Sequence, residues 1–263
     1  MIYISGLPRS GSTLLCNILA QNPEFCVSKS TSGLHDVLFN IRNQWDKLIE
    51  HQAGGVDYDQ LKRVLNATMN AYYDTDRIVV DKGRGWLSLL EVTEFITGEK
   101  PKVIVPVRDI AEILASFEKL WRKSTGQSQW NIEQKDYFLT QTVAGRCELW
   151  TRRDQPVGLA YNRVVDALQR GYGDCLYFME MDALTYSPDQ TMREIYQFLG
   201  LPEFQHNFNN VEQVTQEDDL GVHRIPDLHN IRPSVQPVPK CASAILGPQL
   251  VQHYSGQEVW RKQ

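Results

Sequence analysis

Short apolar runs alternate with longer stretches of helical spacing along roughly the first two hundred residues. Ile2-Tyr3-Ile4, Phe25-Cys26-Val27, Arg77-Ile78-Val79-Val80, Val103-Ile104-Val105-Pro106-Val107 and Leu176-Tyr177-Phe178-Met179 read as strands. Helices are expected over 11–21, 34–50, 58–73, 86–96 and 110–121. In the third of these, Leu61, Val64, Leu65, Thr68, Met69 and Tyr72 form one face. The middle of the chain is mostly helical, over roughly 134–150 and 159–169. A further helix has a well-marked start and stop. Ser187 is placed as its N-cap, Pro188 as its first residue, Gln190 as the partner in a capping box and Gly200 as its end, with Pro202 preventing continuation.

Strands followed by helices predict a P-loop-type parallel β-sheet flanked by helices on both faces, a three-layer α/β/α fold. We expect one such domain across residues 1–263. The Val103 run is continuously apolar, as befits a strand covered on both sides, and Pro106 alone breaks the pattern. From Asp218 to Pro239 periodicity disappears and Pro, His and Arg accumulate, which predicts a long functional loop.

Composition narrows the function. At a net charge of -5 the chain lacks the broad basic footprint of a nucleic-acid binder, so an anionic ligand needs a local positive site. No apolar run approaches a membrane span, and no signal peptide is visible. The five cysteines are odd in number, scattered and free of C-x-x-C spacing, which fits reduced thiols in a cytoplasmic protein. The histidines show no metal-ligand spacing.

The first strand runs into Gly6-Leu7-Pro8-Arg9-Ser10-Gly11-Ser12-Thr13 and then an apolar helix. Strand, glycine-rich turn and helix start make an anion site, because backbone N–H groups and the helix dipole converge there. The two glycines and Thr13 match the frame G-x-x-x-x-G-K-[ST], but Ser12 stands where a nucleotide triphosphatase has its lysine. That lysine bridges the β- and γ-phosphates. Its absence disfavours ATP chemistry, and Arg9 supplies a charge from another angle. A second candidate anion site is Arg108 at the end of the fourth strand, with Ser116 eight residues on. Asp109, after Arg108, is not read as a Mg2+ ligand.

Gly-x-Pro-Arg-Ser-Gly-Ser-Thr-Leu-Leu, followed by Val-Arg-Asp and a serine eight residues beyond the arginine, resembles the sulfotransferases. These enzymes use 3'-phosphoadenosine 5'-phosphosulfate (PAPS). The form is closer to the tyrosylprotein and bacterial enzymes than to the cytosolic ones. The resemblance implies that Pro8, Arg9, Ser10, Gly11, Ser12 and Thr13 hold the 5' end of the cofactor. It implies that Arg108 and Ser116 hold the 3'-phosphate. The family typically has proline where this chain has Ile110. Asp81-Lys82 stands where the tyrosylprotein enzymes carry Asn-Lys, and the resemblance implies that Lys82 engages the transferring sulfonate. Similarity continues from Tyr161-Asn162-Arg163, through Met179-Glu180-Met181-Asp182, to Phe198-Leu199-Gly200-Leu201-Pro202. Arg224 and Arg232 are candidates for a basic loop over the 3'-phosphate.

The implied reaction moves a sulfonate from PAPS to a hydroxyl or amine acceptor and leaves adenosine 3',5'-bisphosphate (PAP). Arg9 and Lys82 are the catalytic candidates for stabilising the departing charge. The base is not where the family puts it. Lys29 and Ser30 occupy the place of the tyrosylprotein enzymes' Glu, and Arg84 that of the cytosolic enzymes' His. His35, beside Asp36, is the nearest replacement as catalytic base. Trp45, Trp86, Trp121 and Trp130 are candidates for stacking on adenine or lining an acceptor pocket. A nucleotide kinase with an altered loop and a noncatalytic nucleotide-binding module remain as alternatives. The acceptor, whether tyrosine, sugar hydroxyl, lipid or small metabolite, is left open, as is the oligomeric state.

Overall fold

Five parallel strands make one sheet in the order β2-β3-β1-β4-β5. They are β1 (Ile2–Ile4), β2 (Phe25–Val27), β3 (Ile78–Lys82), β4 (Val103–Val107) and β5 (Leu176–Glu180). The computed structural model describes residues 1–124, 136–223 and 225–261. All five strands lie where the apolar runs place them, and β3 extends two residues further, to Lys82.

Alternation along the strands builds two cores. Tyr3, Val103, Val105, Val107 and Leu176 face one side of the sheet. Ile2, Ile4, Val80, Ile104 and Met179 face the other. Each face is covered by helices, which gives the expected three layers. The helices in chain order are α1 (Ser12–Leu19), α2 (Leu34–Trp45), α3 (Ile49–Gly54), α4 (Tyr58–Tyr73), α5 (Leu90–Thr97), α6 (Ile110–Ser124) and α7 (Tyr137–Thr140). After these come α8 (Val143–Thr151), α9 (Pro156–Gln169), α10 (Met181–Tyr186), α11 (Pro188–Leu199), α12 (Ala242–Leu246) and α13 (Pro248–Tyr254).

β1 and β4 are neighbours whose following connections leave in opposite directions. The crevice beyond their carboxyl ends is where ligands bind in such sheets. Pro106 is tolerated inside the sheet for a local reason. Regular pairing of β1 with β4 covers only Tyr3 and Ile4, so Pro106 lies beyond it, against the close-packed Gly6-Leu7 turn, and its carbonyl still accepts from Leu7 N.

Four helical expectations are corrected. The described part of the 134–150 helix is two helices, α7 and α8, parted at Gln141-Thr142, where Thr142 caps α8 by accepting from Gly145 N. The 34–50 helix breaks between Trp45 and Ile49, where Trp45 Nε1 donates to the Asp57 carbonyl at 3.1 Å and the Trp45 ring packs on His51. The 86–96 helix begins as a short 3-10 turn, Trp86–Ser88, before α5. At α11 the capping box does not form, because Gln190 Nε2 donates instead to Glu194 Oε1 at 2.7 Å. Pro188 and the left-handed Gly200 (φ 69°) do bound that helix as expected.

After α11 the chain crosses the Ile2 face of the sheet and buries His206 among Phe204, Phe208 and Tyr196. Tyr196 Oη lies 3.2 Å from His206 Nε2 and accepts from Asn22 Nδ2 at 3.0 Å. Burial pushes the His206 pKa down to about 4. The unfolded chain therefore takes up a proton first as pH falls, since free histidine titrates near 6.5. The contribution of neutral, buried His206 to stability is full above about pH 6.5 and declines towards pH 4, by about 3 kcal/mol. Denaturant midpoints measured from pH 7 to pH 4.5 should show this slope, and His206→Phe should flatten it. An unchanged slope in that variant would assign the titration to another group.

Candidate functional site

The loop after β1 takes its shape from backbone contacts. Ser5 N donates to the Ile104 carbonyl at 3.1 Å and Leu7 N to the Pro106 carbonyl at 2.9 Å. Gly6 passes so close to β4 that a Cβ there would sit 2.2 Å from the Pro106 oxygen. Arg9 (φ 60°) and Gly11 (φ 85°) both adopt left-handed backbone conformations. For arginine this is strained, and such strain collects at functional sites. Gly11 caps α1 without a side-chain hydrogen bond, so the first N–H groups of α1 have no side-chain cap.

This loop forms one wall of a cavity of about 520 Å³. Pro8, Arg9, Gly11, Ser12 and Thr13 all line it. Ser10 does not. It is buried beneath the loop, and its Oγ donates to the Pro8 carbonyl at 3.3 Å, so its part is to shape the turn.

Cations converge on the same space. Lys82, Arg84, Arg108 and Arg232 line the cavity with Arg9. Lys82 ends β3 in register with Ile4, which sets its side chain beside the loop. The Arg108 guanidinium reaches the Arg9 carbonyl and Glu112 Oε2, each at 3.5 Å, while its Nε is buried with no protein partner. Ser116 also lines the cavity, but its Oγ accepts from Arg9 Nε at 3.2 Å rather than meeting Arg108. The serine thus joins the two expected anion sites. Arg9 is held below the ordinary arginine range by burial and by Arg108 and Arg84, against the opposing pull of Asp219. Arginine remains charged through such shifts. An anion entering here would relieve the mutual repulsion of these cations.

The Asp218 to Pro239 loop forms the opposite wall, with one wide helical turn at Asp219–His223. With the residues before it, this strap is tied across the site. Asn17 Oδ1 accepts from Val214 N and Thr215 N. Arg9 NH1 donates to the Leu228 carbonyl at 2.8 Å. Asp219 accepts from His229 N at 2.8 Å and lies 2.5 Å from His229 Nδ1, which fixes the turn over Arg9. Arg232 sits exposed at the rim, 3.5 Å from Gln236 Oε1. Arg224 and Trp130 lie outside the described residues.

Glu217 is a residue that the sequence reading missed. Its Oε1 accepts from Lys82 Nζ at 2.7 Å, from Thr31 N at 2.7 Å and from Thr31 Oγ1 at 3.0 Å. Burial pushes the Glu217 carboxyl up, but Lys82 and Thr31 outweigh it and hold the pKa below the usual carboxylate range. Nothing local marks it, since it stands in a stretch without periodicity, 186 positions from Thr31. The base expected from the sequence, His35, is not among the residues that line the cavity; Glu217 is not among them either, but both of its partners, Lys82 and Thr31, are. Its imidazole lies against the turn after β3, where a Cβ on Gly85 would fall 1.9 Å from the ring. Its Nδ1 is buried without a partner and its Nε2 is 3.3 Å from Asp36 Oδ1.

Three side chains considered for ligand roles serve the fold. Trp86 is buried and donates to Asp81 Oδ1 at 2.7 Å, Trp45 is a core residue, and Asp109 Oδ1 accepts from Ala111 N to cap α6. Trp121 lines the cavity. The Arg146 guanidinium stacks on it at 3.7 Å and is itself fixed by two 2.7 Å hydrogen bonds to buried Glu118.

A family model described as "Sulfotransferase family" matches residues 2–206. Among solved structures, the chain is similar to the sulfotransferase domain from the curacin biosynthetic pathway. That match has 16% identity and a TM-score of 0.50, and it covers 98% of this chain and 96% of the other. It is similar also to the sulfotransferase domain of the Synechococcus PCC 7002 olefin synthase, with 17% identity, a TM-score of 0.50 and coverage of 97% and 94%. No curated protein sequence matches.

Proposed function

The chain belongs to the sulfotransferase family, and on that premise we propose that it moves a sulfonate from PAPS to a hydroxyl or amine acceptor. The observation that carries this reading is the convergence of Arg9, Lys82 and Arg108 with the glycine loop on one cavity. The residues fit such a donor. Arg108 keeps a buried, unpartnered Nε for a phosphate oxygen, and the start of α1 presents N–H groups to a second anion. Arg108 would hold the 3'-phosphate. Pro8 to Thr13 would hold the 5' end, Ser116 would orient Arg9, and Arg232 would approach from the strap. Trp121 would take the adenine edge. When bound, the donor supplies an activated sulfonate with a good leaving group. The protein has then to position the acceptor and stabilise charge on the leaving oxygen, which Arg9 and Lys82 are placed to do.

The test is thermal stabilisation. PAP at a hundredfold its Kd should add about 2.7 kcal/mol, a rise of about 5–10 °C in Tm. Mg-ATP should add much less, because Ser12 replaces the lysine that a triphosphate requires. Arg108→Ala should bring PAP affinity down by about tenfold to a hundredfold, towards that of AMP, through loss of charge-assisted hydrogen bonds. Stabilisation by Mg-ATP with none by PAP would favour the kinase reading and overturn this one.

A further inference from the structure

Sulfonate transfer to a hydroxyl needs somewhere for the acceptor's proton to go, and a group placed for it lies outside the residues matched to the family. We propose that Glu217, delivered by the C-terminal strap, is the catalytic base. The inference rests on the function proposed above.

Three observations support it. Glu217 is ion-paired with Lys82 at 2.7 Å, so its carboxylate stands beside the group assigned to the sulfonate. Its three hydrogen bonds all gather on Oε1, and Oε2 takes part in none of them. The carboxylate is held in place from two directions. Thr31 binds it through N and Oγ1, and the preceding Gln216 N donates to the Lys29 carbonyl at 2.5 Å. A carboxylate fixed in this way is ionised at neutral pH. The groups that act on it electrostatically are Lys82 and Thr31, Arg84 beside it and the buried Cys16 thiol.

In the step, the acceptor O–H bond breaks and its proton passes to Glu217 Oε2. The acceptor oxygen forms a bond to sulfur as the bond from sulfur to the bridging oxygen breaks. The electron pair of that bond leaves with PAP, next to Lys82. As Lys82 turns towards the leaving group, Glu217 loses its counter-charge and becomes a stronger base at the moment a base is needed.

The experiment compares wild type, Glu217→Gln and Glu217→Asp, with radiolabelled PAPS as donor and phenol or 4-nitrophenol as acceptor. PAP affinity is measured by calorimetry on the same samples. For Glu217→Gln we expect a loss of about 10²-fold or more in turnover with phenol. The loss should be much smaller with the more acidic 4-nitrophenol, PAP affinity should stay within about threefold of wild type, and Glu217→Asp should recover part of the loss. Equal losses with both phenols, or PAP affinity that falls together with turnover, would make Glu217 an anchor of the strap and overturn the proposal. If wild type neither binds PAP nor transfers sulfonate, the donor reading itself fails, which is a different result from failure of the base.

Discussion

Lys82→Met is expected to lower sulfonate turnover by about 10²–10³-fold, the usual effect of removing one donor from a charge-stabilising site. PAP affinity should change by less than about tenfold, because the proposed function has the bisphosphate held by Arg108 and the loop rather than by this ammonium. The same variant should lose stability. Lys82 and Glu217 are both largely buried, with side-chain exposures of 7% and 12%, and removing one partner leaves a charge in a poor environment. A loss of about 2–3 kcal/mol is expected on that account. Combining Lys82→Met with Glu217→Gln should restore most of this stability and none of the activity. Denaturant unfolding and steady-state turnover on the two single variants and the double variant form a thermodynamic cycle. Additive stability losses would mean that the two side chains do not form a pair in solution, and wild-type turnover in Lys82→Met would remove it from the chemistry.

The second large effect concerns the backbone. Gly6→Ala should destabilise the protein by about 3 kcal/mol or more, at the upper end of the cost of overpacking, and lower Tm by about 6–12 °C. The new methyl would lie 2.2 Å from the Pro106 carbonyl oxygen and 2.7 Å from the Pro106 nitrogen, so no side chain can move aside to make room. Either the loop lifts off β4 or the sheet opens. In both cases the anion site spreads, and stabilisation by PAP should shrink along with Tm. A Gly6→Ala protein with wild-type Tm and an intact PAP response would show that the loop does not pack on β4 as described.

What could be read from the chain depended on distance along it. Strands, the glycine loop and the positions of Lys82 and Arg108 follow from local pattern, because a strand end in a parallel sheet fixes which rim a residue joins. The partner of Ser116 did not follow. Eight residues separate it from Arg108, yet it meets Arg9, whose approach depends on a left-handed backbone that no propensity signals. The break after Trp45 was hidden for a related reason. Apolar residues continue in helical period across it, and the anchor that stops α2 is the carbonyl of Asp57, twelve positions on. Ser187 and Gln190 had the right spacing for a capping box, but Glu194 on the next turn competes for Gln190. Glu217 was the least legible. Its significance lies wholly in Thr31 and Lys82, which reach it through the tertiary fold.

The strap also has a consequence in time. Its contacts join positions 219, 198 and 186 residues apart, at Arg9 with Leu228, Asn17 with Thr215 and Thr31 with Glu217. Contacts of such separation form late, because the loops they close are entropically costly before anything rewards them. A chain emerging from the ribosome can lay down all five strands by Glu180 while its anion site still lacks one wall. On the proposed function, donor binding and proton transfer become competent only once the strap from Val214 to Arg232 has been made. A nascent chain would hold its cations in place for some seconds before it acquired the carboxylate that is paired with them.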